Sequence, residues 1–159
     1  MNNIFRHLHI PHELACNFLS VFSRIEYALK STGFAIGDNK SVEPAWDIFA
    51  NEIDEKLFQI NDTELQQAIE YILENPPRKQ VIENERIIFI NQTIDSSQKN
   101  TQQLLLMIRT VRNNLFHGGK YLPDGEIEAG RNEFLVNYSL IILRNCIQIN
   151  TRVYASYQH

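Results

Sequence analysis

The chain has 159 residues, 43% of them hydrophobic, and a net charge of −4. That is the length of one domain, spanning 1–159, with apolar material for one real core, and it excludes a disordered or low-complexity chain. No apolar run approaches membrane-spanning length, and Arg6, His7, His9 and Glu13 break the first thirty residues, so neither a membrane span nor a signal peptide is expected.

After Pro11, "HELACNFLSVFSRIEYALKSTG" carries Leu14, Phe18, Phe22, Ile25 and Leu29 at three- and four-residue spacing. This is the stripe of an amphipathic helix, and Gly33 suits its end. A second helix is expected in "SVEPAWDIFANEIDEKLFQI", with Ser41 as cap, Pro44 in the first turn, and Trp46, Phe49, Ile53 and Leu57 inward. A third starts at Asp62, follows Leu65, Ile69 and Ile72 to Asn75, and is stopped by Pro76 and Pro77.

The next stretch, "RKQVIENERIIFINQTI", is rich in β-branched residues between turn-formers. It reads as a short extended or irregular segment near 78–95. A fourth helix follows from about Gln98 to Phe116, with Leu104, Ile108, Val111 and Leu115 inward, closed by "GGKYLPDG". The last runs from about Glu126 to Ser156, with Phe134, Tyr138, Ile141 and Ile149 among its apolar positions. Long helices with short connections imply an all-α bundle of four to five helices.

Charge and side-chain chemistry are unevenly spread. From Glu43 to Glu74 nine acids accompany one base, Lys56, whereas Lys99 to Lys120 holds four bases and no acid. A local positive patch can draw phosphate to an acidic protein, although such blocks are more often solvated helix faces. Cys16 and Cys146 both fall in apolar helical patterns, as expected of two buried, reduced thiols in a cytoplasmic protein. "HLHIPH" offers three histidines without a carboxylate or cysteine at ligand spacing, so no metal and no cofactor is expected.

The fourth helix ends in "VRNNLFHGGK". Each residue has a plain reading: a glycine takes the left-handed helix stop, and His117, Arg109 and Arg112 favour a helix C-terminus. Together they ask for more. Asn113 and His117 are four apart on one face, and two asparagines surrender helix propensity in a segment that otherwise favours helix. Arg112 and His117 diverge by about 140° in a regular helix, and converge only if the chain turns at the glycines.

"RNNLFHGGK" resembles the signature of the HEPN superfamily: an arginine, often followed by an asparagine, four to six residues before a histidine. Arg112, Asn113 and His117 fill those places. The early "FSRIEYALKSTGFA" is similar to the first helix of several bacterial members, so the resemblance spans most of the chain while its specific part is about ten residues. It implies a HEPN-like helical bundle that pairs as a homodimer, with both signatures facing one cleft. It also implies a metal-independent endoribonuclease in a toxin–antitoxin or phage-defence setting, with RNA as substrate and an antitoxin or defence-system protein as partner. Members that have lost activity serve as interaction or nucleotide-binding modules, which is the alternative function. Some members carry a tyrosine two residues after the histidine that a nucleotidyltransferase modifies; that position is Gly119 here.

The residue chemistry suits that implication. RNA is cleaved without metal when its 2′-hydroxyl attacks the adjacent phosphate, leaving a 2′,3′-cyclic phosphate and a 5′-hydroxyl. Histidine moves protons near neutral pH, and a guanidinium fork stabilises the charge gathering on phosphate oxygens. His117 is the candidate proton carrier, Arg112 the phosphate clamp, and Asn113 a hydrogen-bonding aid. A homodimer supplies two histidines for the two proton transfers. Arg109 and Lys120 are candidate RNA contacts. The resemblance also implies an acidic or polar residue on another helix that pairs with the arginine or the histidine. Glu26 is a candidate for it, although a solvent-facing Glu26 is the commoner outcome.

Overall fold

A computed structural model describes residues 8–118 and 130–159 of the chain. Lys120, the glycine-rich closing loop from Gly119 onward, and the expected helix start at Glu126 lie outside the described residues. Six helices are present among them: α1 (His12–Ser31), α2 (Trp46–Gln59), α3 (Thr63–Glu74), α4 (Asn100–Phe116), α5 (Arg131–Ile149) and α6 (Thr151–Gln158). Two antiparallel hairpins join them: β1 (Ala35–Gly37) with β2 (Val42–Pro44), and β3 (Lys79–Glu83) with β4 (Arg86–Ile90). Helix accounts for 64% of this, so the fold is helix-rich rather than all-α.

The apolar stripes of the first four helices meet in one core. Phe18, Ile25 and Leu29 of α1, Phe49 and Ile53 of α2, Leu65 and Ile72 of α3, and Leu104 and Ile108 of α4 are all fully or almost fully buried. Local chemistry sets several boundaries. The Asp62 carboxylate accepts from the Leu65 N–H (2.7 Å), which caps α3. Gly33 (φ 96°) ends α1, and the Phe34 N–H bonds back to the Leu29 carbonyl (3.0 Å) in a Schellman closure. The first turn of α4 is capped from another helix, because the Thr101 N–H donates to the Asp54 carboxylate of α2 (3.2 Å).

Three expectations are corrected. Ser41 and Pro44 do not open a helix: Val42–Pro44 is a strand, and α2 starts at Trp46. The turn before that strand is built by Asp38, whose carboxylate accepts from the Lys40 and Ser41 N–H groups. These bonds hold its carboxyl below the usual carboxylate range. The last helix is broken at Asn150, whose side chain accepts from the Arg152 and Val153 N–H groups and starts α6. On α5 the buried face is Leu135, Val136, Leu140, Ile142, Leu143, Cys146 and Ile147, while Phe134 is 48% exposed and Tyr138 half-buried beside Tyr71. Cys16 is exposed; only Cys146 is buried, and burial pushes its thiol pKa up to about 12.

The 78–95 segment is extended, and its β part is a regular hairpin. Its two turn residues, Asn84 (φ 49°) and Glu85 (φ 62°), both lie in the left-handed region, as a type I′ turn between Glu83 and Arg86 requires. No helix among the described residues is long and apolar enough to cross a membrane.

Candidate functional site

Helix α4 divides its surface cleanly. Leu104, Ile108 and Val111 face the core, while Leu106, Asn113, Phe116 and His117 face solvent, with Arg109 and Arg112 half-buried at the margin. A period of 3.6 residues places Arg109, Asn113 and His117 on the solvent side, and Arg112 at its edge next to α1.

Arg112 is held by α1, whose contact residues are in turn braced by α2. Its Nη2 donates to the Glu26 Oε1 of α1 at 3.3 Å, with the two side chains 28% and 25% exposed. Its guanidinium carbon lies 5.1 Å from the centroid of the Phe22 ring, one turn earlier on α1. The same Glu26 oxygen accepts from the indole Nε1 of Trp46 (3.2 Å), the first residue of α2. Trp46 in turn packs on Phe22, ring centroids 5.3 Å apart. Glu26 is therefore half-buried between Arg112 and Trp46 rather than facing solvent. Phe22 and Trp46 carry no chemistry in the sequence beyond an apolar stripe; the signal available in advance was that a buried indole N–H needs an acceptor. The Arg112 Nε is buried with no hydrogen-bond partner, which leaves the guanidinium fork only partly engaged.

His117 sits where α4 ends. Its N–H still bonds to the Asn113 carbonyl (2.8 Å) and its φ of −95° stays near helical, so the chain has not turned away before it. The imidazole is exposed, and it shares no hydrogen bond or ion pair with Arg112. Within one chain the structure thus places both residues at one end of α4 but does not join them. Asn113 is exposed. Asn114 is different: it is buried, and its Nδ2 donates to the Arg78 carbonyl (2.7 Å), tying α4 to the start of the β3–β4 hairpin. One of the two helix-weakening asparagines thus has a structural purpose.

Beside this end of α4 an open groove of about 300 Å³ runs against α1, lined by Leu8, His12, Cys16, Leu19, Leu115 and Phe116. Among the described residues no group of three or more His, Cys, Asp or Glu side chains is placed to hold a metal ion. No family model, curated protein or solved structure matches the chain.

Proposed function

We propose that the protein is a HEPN-like, metal-independent endoribonuclease acting on RNA as a homodimer, with Arg112, Asn113 and His117 as its catalytic residues. The observation that carries this reading is the support around Arg112. An arginine on a solvent-facing margin is oriented by a carboxylate, by an aromatic face and, through the carboxylate, by an indole, all next to the helix end that exposes His117. Orientation of this kind suits a group that must present donors to a phosphate rather than merely decorate a helix terminus.

Arg112 holds the phosphate and offsets the charge on its oxygens in the transition state. His117 takes the 2′-hydroxyl proton, and the second subunit's copy of that imidazole protonates the departing 5′-oxygen. Asn113 hydrogen-bonds the phosphate. Arg109 and Lys120 add phosphate contacts along the strand, and the apolar groove beside Phe116 accepts a base. Restraint by an antitoxin or defence-system partner belongs to the same reading. The test is cleavage of single-stranded RNA by purified protein in excess chelator. His117→Ala and Arg112→Ala each lower the rate by about 10²-fold or more, the range for loss of a proton-transfer group or an oxyanion donor. Cleavage that persists in both variants removes the assignment.

One observation favours a second reading. The Glu26 ion pair and the Phe22 contact satisfy part of Arg112 inside one chain, as in a purely structural arginine. On that reading the domain is a non-catalytic interaction or nucleotide-binding module. No RNA is cut, and Arg112→Ala changes only stability.

A further inference from the structure

Helices α2 and α3 follow one another in the chain, yet they pack on α4 and α5 rather than closely on each other. The seam between them is an open groove of about 440 Å³. Leu57, Leu65 and Ile69 line it and are almost fully buried, while Phe58, 45% exposed, and the half-buried Ile60 and Leu73 flank them. Leu65, Ile69 and Leu73 recur every four residues, so they run as one apolar ridge along α3. No lining residue is shared with the groove beside Phe116.

Next to that ridge stands a second one, Gln66, Glu70 and Glu74, exposed and also spaced by four. Its two carboxylates are a poor choice for α3 alone. Like charges four apart repel along a helix, and Glu74 is the last residue of α3, where the dipole disfavours negative charge. No basic residue lies in that last turn. Arg131 of α5 answers the helix end by donating to the Asn75 and Pro76 carbonyls. Neither Glu70 nor Glu74 is in an ion pair among the described residues. Lys56, the single base between Glu43 and Glu74, is not part of the lining. Helix stability is thus given up to keep two unneutralised carboxylates on the rim of an apolar groove, a local conflict expected where a surface meets a partner.

We infer that this groove receives a cationic amphipathic helix of a partner protein. The apolar face of that helix lies along Leu65, Ile69 and Leu73, and its lysines or arginines reach Glu70 and Glu74. From 65 to 73 α3 rises about 12 Å, which matches two turns of a helix presenting apolar side chains at i, i+3 or i+4, and i+7. The walls are helices whose backbone groups bond internally, so an extended peptide gains no ladder there, whereas a helix arrives with its own backbone satisfied. The acidic rim repels RNA and anionic lipid with the same charge that draws the helix. Rim pairs set its orientation and association rate, and burial of the apolar face holds it. The inference goes beyond the ribonuclease reading and does not rest on it.

A displayed library of random peptides of about 16 residues, a little over four helical turns, selected on the full chain, tests it. Enriched sequences should carry apolar residues at i, i+3 or i+4, and i+7 beside lysine or arginine. Synthesised and labelled, they should bind the wild type saturably and more weakly as salt rises. Replacing their basic residues by glutamate should abolish binding. The triple variant Phe58→Ala, Glu70→Gln, Glu74→Gln removes an aromatic anchor and both rim charges, and should weaken binding by about tenfold or more. All three side chains are exposed, so its helical circular dichroism and Tm should stay near those of the wild type. No enrichment, enrichment of acidic or neutral peptides, or binding that the triple variant retains in full overturns the inference. So does self-association of the wild type, read by sedimentation velocity, that the triple variant abolishes, because the occupant is then a second copy.

Discussion

Replacing Glu26 by alanine tests the wiring around Arg112 without touching Arg112 or His117. Two groups lose an acceptor at once. The Trp46 indole, 3% exposed, keeps its ring packing but leaves its N–H unpaired. A buried unsatisfied donor costs about 1–3 kcal/mol. The ion pair with Arg112 is more than a quarter exposed on the arginine side and a quarter on the glutamate side, so solvent screening limits its worth to roughly 0–1 kcal/mol. Glu26→Ala should therefore destabilise by about 2 kcal/mol, a fall in Tm of about 4–8 °C for a chain of this size. Glu26→Gln retains an acceptor for the indole and should cost about half as much. Urea unfolding of Glu26→Ala, Trp46→Phe and the double variant forms a thermodynamic cycle. The coupling should be about 1 kcal/mol or more, because phenylalanine has no N–H to strand. A coupling near zero, or alanine and glutamine variants of equal stability, would refute the claim that Glu26 joins α2 to the arginine.

The other expectations follow from single contacts. At pH 8 an alkylating reagent should modify Cys16 in the native protein, and Cys146 only in denaturant, since its thiol is buried and its pKa is raised to about 12; equal labelling rates, read by mass spectrometry, would contradict this. A Cβ on Gly37 would stand 2.1 Å from the Ser41 carbonyl oxygen at a φ of 153°, whereas one on Gly33 would meet nothing within 4 Å. Gly37→Ala should thus cost at least about 1–3 kcal/mol, and more than Gly33→Ala, by thermal unfolding. The Asp38 carboxyl is held below its usual range by two backbone N–H groups, so its contribution is fully present above the unfolded value of 3.8 and disappears as pH falls through the lower folded value. The stability gap between wild type and Asp38→Ala should be constant near neutrality and close under acid; a gap that widens there would reverse the sign of the argument.

Helices α1, α3 and α4 were legible because each carries an unbroken stripe and a boundary residue with its own chemistry: Gly33 for α1, Asp62 and the Pro76–Pro77 stop for α3, and Gly118 (φ 77°) for α4. The sequence misled where one residue type serves two structures. Serine and proline at 41 and 44 suit a helix start, yet here they belong to a turn and an edge strand that feed α2. Asn150 lies between Ile149 and Val153, so the apolar spacing runs through it, while its side chain caps the next helix. Along α5 the apolar positions did not separate rim from interior: Phe134 and Tyr138 form a peripheral cluster with Tyr71, and smaller aliphatics fill the interior. The candidate site was legible only in part. Arg112, Asn113 and His117 are neighbours in sequence, but the acceptor shared by Arg112 and Trp46 joins positions 26, 46 and 112, and no local spacing encodes that meeting.

The end of α4 is proposed to cleave RNA through its arginine and histidine. The most direct measurement is the end chemistry of a defined single-stranded RNA after incubation with wild type and with His117→Ala, chelator present throughout. The wild type should leave 2′,3′-cyclic phosphate and 5′-hydroxyl ends, and the variant should leave the RNA intact. The same cuts from both proteins, or 3′-hydroxyl and 5′-phosphate ends from the wild type, would contradict the account.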